Sequence, residues 1–97
     1  MNRDVIVLPR SLFLDGLNRS QLLVGIALHW FEHEHRLNHP GYQPGNWFPV
    51  TNRNLLAMTR LSLVTIIAAK KTLRAKGQVG YKRGYINRPS EYRLPRS

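Results

Sequence analysis

The densest apolar pattern in the chain is a helical one in its first half. It begins at Asn18, which together with Gln21 three residues later has the spacing of a capping box. Apolar residues then recur at helical spacing as far as about Leu37. Because they go almost all round this predicted first helix, we expect it to lie at the centre of the protein or to contact another protein. Upstream, the residues DVIVLP, from Asp4 to Pro9, are expected to be extended.

A second, shorter helix is predicted after a break in this pattern. Residues 38–46, NHPGYQPGN, have the Pro, Gly and Asn content of a loop. The next stretch contains Trp47 and Phe48 and is expected to be a short extended piece whose two aromatic rings lie in the core under a sheet. Thr51 then has the side chain of a good N-cap for the helix NRNLLAMTR. The side chains predicted to face inward from this helix are Leu55, Leu56 and Met58.

A third helix is predicted from about Leu63 to Lys76. Ser62 follows a tight break and serves as its N-cap, and Gly77 is a typical C-terminal stop. At 100° per residue one stripe faces the core, made of Ile66, Ala69, Leu73 and the stem of Lys70. The opposite side carries Val64, Ala68, Lys71 and Ala75. The helix is therefore expected to present a mixed apolar and basic face to solvent.

The end of the chain predicts a basic hairpin. The segments QVGYKRG and EYRL are expected to be two short strands, joined by the basic, Gly- and Pro-marked turn GYINRPS. The predicted order is a helix, a strand, two helices and a hairpin. This order indicates an α+β, mainly α, winged helix-turn-helix fold, with three helices, a small antiparallel sheet and a basic wing. We expect residues 1–97 to form a single domain.

The distribution of charge along the chain bears on function. The chain has 15 Lys and Arg against 5 Asp and Glu, a net charge of +10. Acidic and basic residues cancel up to Val50, so the whole excess lies in the second half. A charge this one-sided favours a polyanion partner, with nucleic acid preferred over a merely solubilising surface. A membrane surface is disfavoured, because no segment pairs a basic face with a large exposed aromatic face.

Other classes of chemistry have little support. No cysteine is present, and no nucleophile elbow or phosphate-cradling glycine loop occurs, so we do not expect an enzyme or a cofactor. The stretch HWFEHEHRLNH places His29 and His33 one helical turn apart, with Glu32 and His35 nearby. It lacks the HExxH order, and no metal site is predicted there. Without a signal-peptide layout or a membrane-length apolar run, the protein is expected to be cytoplasmic.

Several residues of the second half follow the pattern of a known family. They are Thr51, Leu61-Ser62, Lys76-Gly77, Tyr81-Lys82-Arg83-Gly84 and Glu91-Tyr92-Arg93-Leu94, preceded by VLPRSLF near the N-terminus. With these residues the chain resembles the winged-helix N-terminal domain of DnaD-like primosomal proteins and phage replisome organisers. The resemblance implies a double-stranded DNA-binding protein of phage or bacterial replication initiation, which recognises an origin and recruits a helicase loader or helicase in the bacterial host cell. It also implies self-association, and that the chain is the DNA-binding fragment of a longer protein.

The predicted DNA contacts lie on the second and third helices and on the wing. They are Thr51, Asn52, Arg53, Arg60, Ser62, Val64, Thr65, Ile67, Lys71, Arg74, Lys82, Arg83, Tyr85, Asn87 and Arg88. The first turns of the third helix expose Leu63, Val64 and Ile67, where a recognition helix usually carries polar side chains. These apolar residues suit either thymine methyl groups or a protein surface.

Two other functions stay open from the sequence. One is a small winged-helix transcription regulator that binds an operator as a dimer. The other is a protein-interaction module of the primosome, in which Leu63, Val64 and Ile67 dock a partner helix and the charge only aids solubility.

Overall fold

The computed structural model describes residues 6–84 and 88–95, which form four helices and a three-stranded antiparallel sheet. The elements are α1 (Ser11–Leu14), α2 (Arg19–Asn38), β1 (Phe48–Pro49), α3 (Asn52–Thr59), α4 (Leu63–Ala75), β2 (Gly80–Lys82) and β3 (Glu91–Arg93). The predicted α+β winged-helix architecture is confirmed, with one helix more than expected. No helix in the described part of the chain has the length and apolar content to span a bilayer.

The additional helix, α1, lies in a region that the sequence did not mark as helical. It has four residues and no side-chain cap, so it is too short to produce a helical period. Leu12 anchors it, with 1% of its surface exposed, against Gly25 of α2. Residues 6–9 of the predicted extended segment lie outside any strand, and Asp4 lies outside the described residues.

Helix α2 is the central element of the fold, as its apolar pattern predicted. Its capping box is confirmed, since the Asn18 side chain accepts from the backbone N–H of Gln21 and the Gln21 side chain accepts from that of Asn18. Val24, Ala27 and Leu28 of α2 are buried in the main core cluster. The helix packs against both α3 and α4, and so holds the helix-turn-helix pair from behind.

Helix α3 is confirmed, but one of its predicted core residues is not. Thr51 caps the helix, Leu55 is fully buried and Leu56 is partly buried against the core. Met58 is 45% exposed, so the expectation that it faces inward was wrong. An eight-residue helix packed on one side buries only a narrow stripe, and this stripe runs through Leu55 and Thr59 instead.

Helix α4 has the face assignment expected from its periodicity. Ile66, Ala69 and Leu73 are buried, whereas Val64, Ala68, Lys71 and Ala75 are exposed. The Ser62 side chain accepts from the backbone N–H of Thr65 and caps the helix start. The helix ends at Ala75, just before Gly77, whose φ of 73° is a left-handed conformation that glycine adopts without strain.

The sheet has the strand order β1-β3-β2, with Phe48 and Tyr81 both opposite Tyr92. Phe48 and Tyr92 are fully buried, so this row of the sheet faces the core. Because side chains alternate along a strand, Lys82 and Arg93 lie on the outer face, and the Trp47 ring lies beneath both of them there. The expectation that Trp47 lies in the core was therefore wrong, whereas that for Phe48 is confirmed.

The polar end of α2 is occupied by interactions within the protein. Glu32 forms an ion pair with Arg36 at 3.4 Å and accepts a hydrogen bond from Tyr42 at 3.3 Å. Burial and the Glu32 charge raise the pKa of Tyr42 to about 12, so it stays a hydrogen-bond donor at neutral pH. Among the described residues, no group of three or more His, Asp or Glu side chains is arranged to hold a metal ion.

Burial of His29 predicts a loss of stability in acid. Desolvation lowers its pKa from 6.5 to about 4, so the folded protein keeps this imidazole neutral where the unfolded chain protonates it. The contribution of neutral His29 to the free energy of unfolding is therefore fully present above pH 6.5 and is lost as the pH drops towards 4. The expected loss is about 2 to 3 kcal/mol, at 1.36 kcal/mol per pKa unit. Urea unfolding at pH 7 and pH 4.5 would measure it.

The matched variants are His29→Gln and, as the control, Arg19→Gln at the exposed start of the same helix. Removal of the His29 imidazole should flatten the dependence of unfolding free energy on pH, whereas the control should keep the slope of the parent protein. Equal slopes in the parent and in His29→Gln would show that another group causes the acid sensitivity.

Candidate nucleic-acid interface

A helix-turn-helix forms the core of the candidate interface. Helices α3 and α4 pack against each other and are joined by Arg60, Leu61 and Ser62. Arg60 has a φ of 59°, and its backbone N–H donates to the Leu56 carbonyl, so a left-handed residue turns the chain between the helices. Leu61 packs against the core and fixes the turn. Helix α4 thereby presents one long side to solvent.

A groove of about 530 Å³ separates this side of α4 from the β2–β3 hairpin. Its lining residues are Asn52, Ile67, Lys70, Lys71, Arg74, Tyr81, Arg83, Gly84 and Ser90. Five of the predicted DNA contacts therefore come together here, namely Asn52, Ile67, Lys71, Arg74 and Arg83. They come from α3, from α4 and from the hairpin, so the groove exists only in the folded chain.

Lys70 connects the floor of the groove to the core. Its ammonium donates hydrogen bonds to the Asn52 side-chain oxygen at 2.8 Å and to the Tyr92 hydroxyl at 3.0 Å. It also lies 5.2 Å from the centre of the Tyr81 ring, within reach of a cation–π interaction. Because a lysine only donates, the Asn52 oxygen must face Lys70, which leaves the Asn52 amide N–H groups to serve as donors elsewhere.

Burial also shifts the pKa values of Lys70 and Tyr92. Desolvation lowers the pKa of Lys70, and Tyr81 acts against this shift. Burial raises the pKa of Tyr92 well above its ordinary range, with Tyr81 adding to the shift, so the phenol remains protonated at neutral pH. Tyr92 can then accept from Lys70 through its oxygen lone pair. The stem of Lys70 lies on the buried stripe of α4, as predicted.

The hairpin side of the groove is held by a cation–π contact and by hydrogen bonds to Ser90. The Arg74 guanidinium lies 5.6 Å from the centre of the Tyr81 ring, and the Tyr81 hydroxyl is 3.3 Å from the Ser90 hydroxyl. The backbone N–H of Gly84 donates to the same Ser90 oxygen at 3.2 Å. A Cβ atom at Gly84 would collide with the backbone of Arg88 and Pro89, so only glycine allows the two arms to approach this closely.

Positive charge in the groove has no acidic partner in the structure as far as it is described. The ion pair found in residues 6–84 and 88–95 joins Arg36 to Glu32, far along α2, and none involves Lys70, Lys71, Arg74 or Arg83. Four cationic side chains therefore line one concave surface without compensation by carboxylates. Such a surface attracts polyanions and releases their counterions on binding.

Other predicted contacts have local roles or point elsewhere. The side chains of Thr51, Ser62 and Thr65 take part in helix-capping hydrogen bonds. Arg53, Arg60, Val64 and Arg88 are exposed but do not line the groove. Lys82 lies on the outer face of the sheet, over Trp47. Tyr85 and Asn87 lie outside the described residues.

Four groove residues were not predicted as contacts, namely Lys70, Tyr81, Gly84 and Ser90. Lys70 gave a signal in the sequence, since a lysine on a buried helical stripe must bring its ammonium to a polar partner or to solvent. Tyr81 and Ser90 gave none, because their role depends on how the hairpin folds against α4.

Comparison with known proteins adds a structural neighbour. No family model matches the chain, and no curated protein matches it with significance. A solved structure of the N-terminal domain of a DNA-binding protein aligns with 95% of this chain and 74% of its own, with a TM-score of 0.62 and 19% identity. The chain thus shares a winged-helix-like fold with a domain that comes from a DNA-binding protein.

Proposed function

We propose that this protein binds double-stranded DNA through the groove between α4 and the hairpin. The observation that carries the proposal is the set of four cations on one concave surface with no carboxylate paired to them in the described chain. Duplex DNA carries a dense line of phosphate charge, and neutralising it releases condensed counterions. The fold adds support, because helix-turn-helix domains place their second helix in the major groove.

In this mode α4 enters the major groove with its exposed side towards the bases. Lys71 and Arg74 reach guanine edges or phosphates. Val64 and Ile67, which are 78% and 51% exposed, meet thymine methyl groups. Arg83 and Arg88 on the hairpin grip the adjacent backbone, and the Asn52 amide donates to a phosphate or base acceptor beside them.

The biological role that we favour is initiation of phage or bacterial DNA replication. It is supported by the resemblance of residues 48–94 to DnaD-like and replisome-organiser domains, and by a structural neighbour from a DNA-binding protein. In this role the domain recognises an origin, self-associates and helps to recruit a helicase loader or helicase in the cytoplasm of the host cell. It would act by binding, without catalysis of its own. Control of transcription by the same fold is the alternative, and gene neighbourhood separates the two.

The proposal is tested by fluorescence anisotropy of the 97-residue chain with a labelled duplex from its own gene and with a scrambled duplex. Both titrations run from low to physiological salt. We expect the logarithm of the binding constant to fall with the logarithm of salt concentration at a slope of roughly −4.5 to −6.3, as about five to seven phosphate contacts would give. A preference for the native duplex supports origin recognition, and equal binding supports a non-specific clamp. Absence of binding at low salt contradicts both.

A second candidate is a protein-interaction module, and one observation favours it. Leu63, Val64 and Ile67 form an apolar surface on α4 with exposures of 44%, 78% and 51%. Apolar residues clustered on a helix are suited to docking a partner helix. If DNA binding is absent and replacement of these residues abolishes a complex with another protein, this second function takes its place.

A further inference from the structure

The outer face of the sheet carries a second basic cluster that is separate from the groove. It consists of Trp47, Lys82 and Arg93. The Lys82 ammonium lies 4.6 Å from the centre of the Trp47 ring, and the Arg93 guanidinium carbon lies 5.1 Å from it. The groove-lining Tyr81 lies between Gly80 and Lys82 in β2 and points to the opposite side. A duplex held in the groove by α4 therefore leaves this second cluster available.

The Trp47 ring fixes both cations to one place. Trp47 precedes β1, and its ring reaches across the sheet to β2, where it comes within 3.5 Å of the Cβ position at Gly80. At that separation a Cβ atom would make ordinary van der Waals contact with the indole, so the ring packs directly over Gly80. Cation–π contacts at an exposed site restrain lysine and arginine side chains while their charged ends stay in water. The two positive charges are thus held close together before any ligand arrives.

The arrangement does little for the stability of the fold. Two like charges directed at one ring repel each other, and each exposed cation–π contact is weak. Glu91 lies directly opposite Lys82 on the same face, yet no ion pair between them is present in the described residues. Lys82 lies over the tryptophan instead of pairing with the nearest carboxylate. A surface depression of about 530 Å³ that includes Gly80 and Arg93 borders the cluster.

We infer that Trp47, Lys82 and Arg93 form a second binding site for a phosphodiester backbone. The inference rests on the proposed function in one respect, that the ligand is nucleic acid. The two held cations would contact phosphates, and the indole would pack against sugar or base. Its source is either duplex flanking the segment in the groove or a single strand, since both present the same phosphates. One copy of the protein would then contact nucleic acid on two faces.

The test distinguishes the effect of the two cations positioned by Trp47 from the effect of net charge alone. Lys82→Gln with Arg93→Gln removes both cations, Trp47→Leu removes the ring that holds them, and Arg10→Gln with Arg19→Gln is a control of equal charge change at exposed positions outside both clusters. Affinities are measured by anisotropy on a long duplex and on a single strand of equal length, with thermal unfolding as the check on folding. Trp47→Leu is the informative variant because it changes no charge.

We expect Lys82→Gln with Arg93→Gln to weaken binding at least fivefold more than the control, and to flatten the salt slope by roughly 1.4 to 1.8, as removal of two phosphate contacts implies. Trp47→Leu should weaken binding severalfold at temperatures where thermal unfolding shows the variant to be folded. If these variants lose affinity for the long duplex, the ligand of the second site is the flanking duplex. If they lose affinity for the single strand, the ligand is single-stranded nucleic acid. Losses no larger than those of the control on both ligands would overturn the second site. A third outcome would overturn the second site and leave the proposed function intact. In it, replacement of Lys71 and Arg74 abolishes binding, whereas the Trp47, Lys82 and Arg93 variants bind as tightly as the control.

Discussion

Replacement of Lys71 and Arg74 by alanine together is expected to weaken duplex binding by roughly 10- to 100-fold at physiological salt, or about 1 to 3 kcal/mol. Both side chains line the groove, and neither has an acidic partner in the described chain. Each phosphate interaction that the variant cannot make also reduces counterion release, so the salt slope should become shallower by about 2. Anisotropy titrations at several salt concentrations measure both quantities.

Folding should survive this double replacement. Lys71 and Arg74 are exposed, and alanine has a high helix propensity, so α4 keeps its stability apart from the weak contact between Arg74 and the Tyr81 ring. The control, Arg10→Ala with Arg19→Ala, removes the same charge away from the groove and should change affinity by less than threefold. If the groove variant binds duplex as tightly as the control, α4 is not the DNA-contacting helix.

The largest effect on stability is expected for Ile66→Ala. Ile66 is fully buried, lies on the core stripe of α4 and packs in the main core cluster. Truncation to alanine removes buried apolar surface and leaves a cavity, at a typical cost of about 2 to 5 kcal/mol. A domain of this size has only about 5 to 15 kcal/mol of stability, so the variant should show a large drop in urea midpoint with nearly unchanged m-value.

Its neighbour Ile67 provides a matched control of identical chemistry. Ile67 is 51% exposed, so Ile67→Ala should change the free energy of unfolding by about 0.5 kcal/mol or less. For DNA affinity we expect the opposite order. At temperatures where both variants are folded, Ile67→Ala should weaken binding more than Ile66→Ala, because Ile67 lines the groove and Ile66 does not. Equal destabilisation by the two variants would contradict the orientation of α4 described above.

Much of this architecture can be read from the chain alone, because its signals are local. The capping residues Asn18, Thr51 and Ser62 each accept a backbone hydrogen bond within three positions, and they predict all three of these helix starts. The buried stripe of α4 follows from a period of 3.6 residues, and this period alone places Ile66 and Ile67 on different faces. The excess of positive charge after Val50 is a matter of composition.

Only the tertiary structure decided which of the basic residues act together. Lys70 meets Asn52, 18 positions earlier, and Tyr92, 22 positions later, and no local pattern encodes such contacts. Alternation along a three-residue strand placed Lys82 on one face, over Trp47, and Tyr81 on the other, although a strand this short shows no clear period in the sequence. Local signals fix helix starts and faces because they act within one or two turns. Long-range packing assembles the groove and the cluster of Trp47, Lys82 and Arg93, since each contains side chains from elements that are distant along the chain.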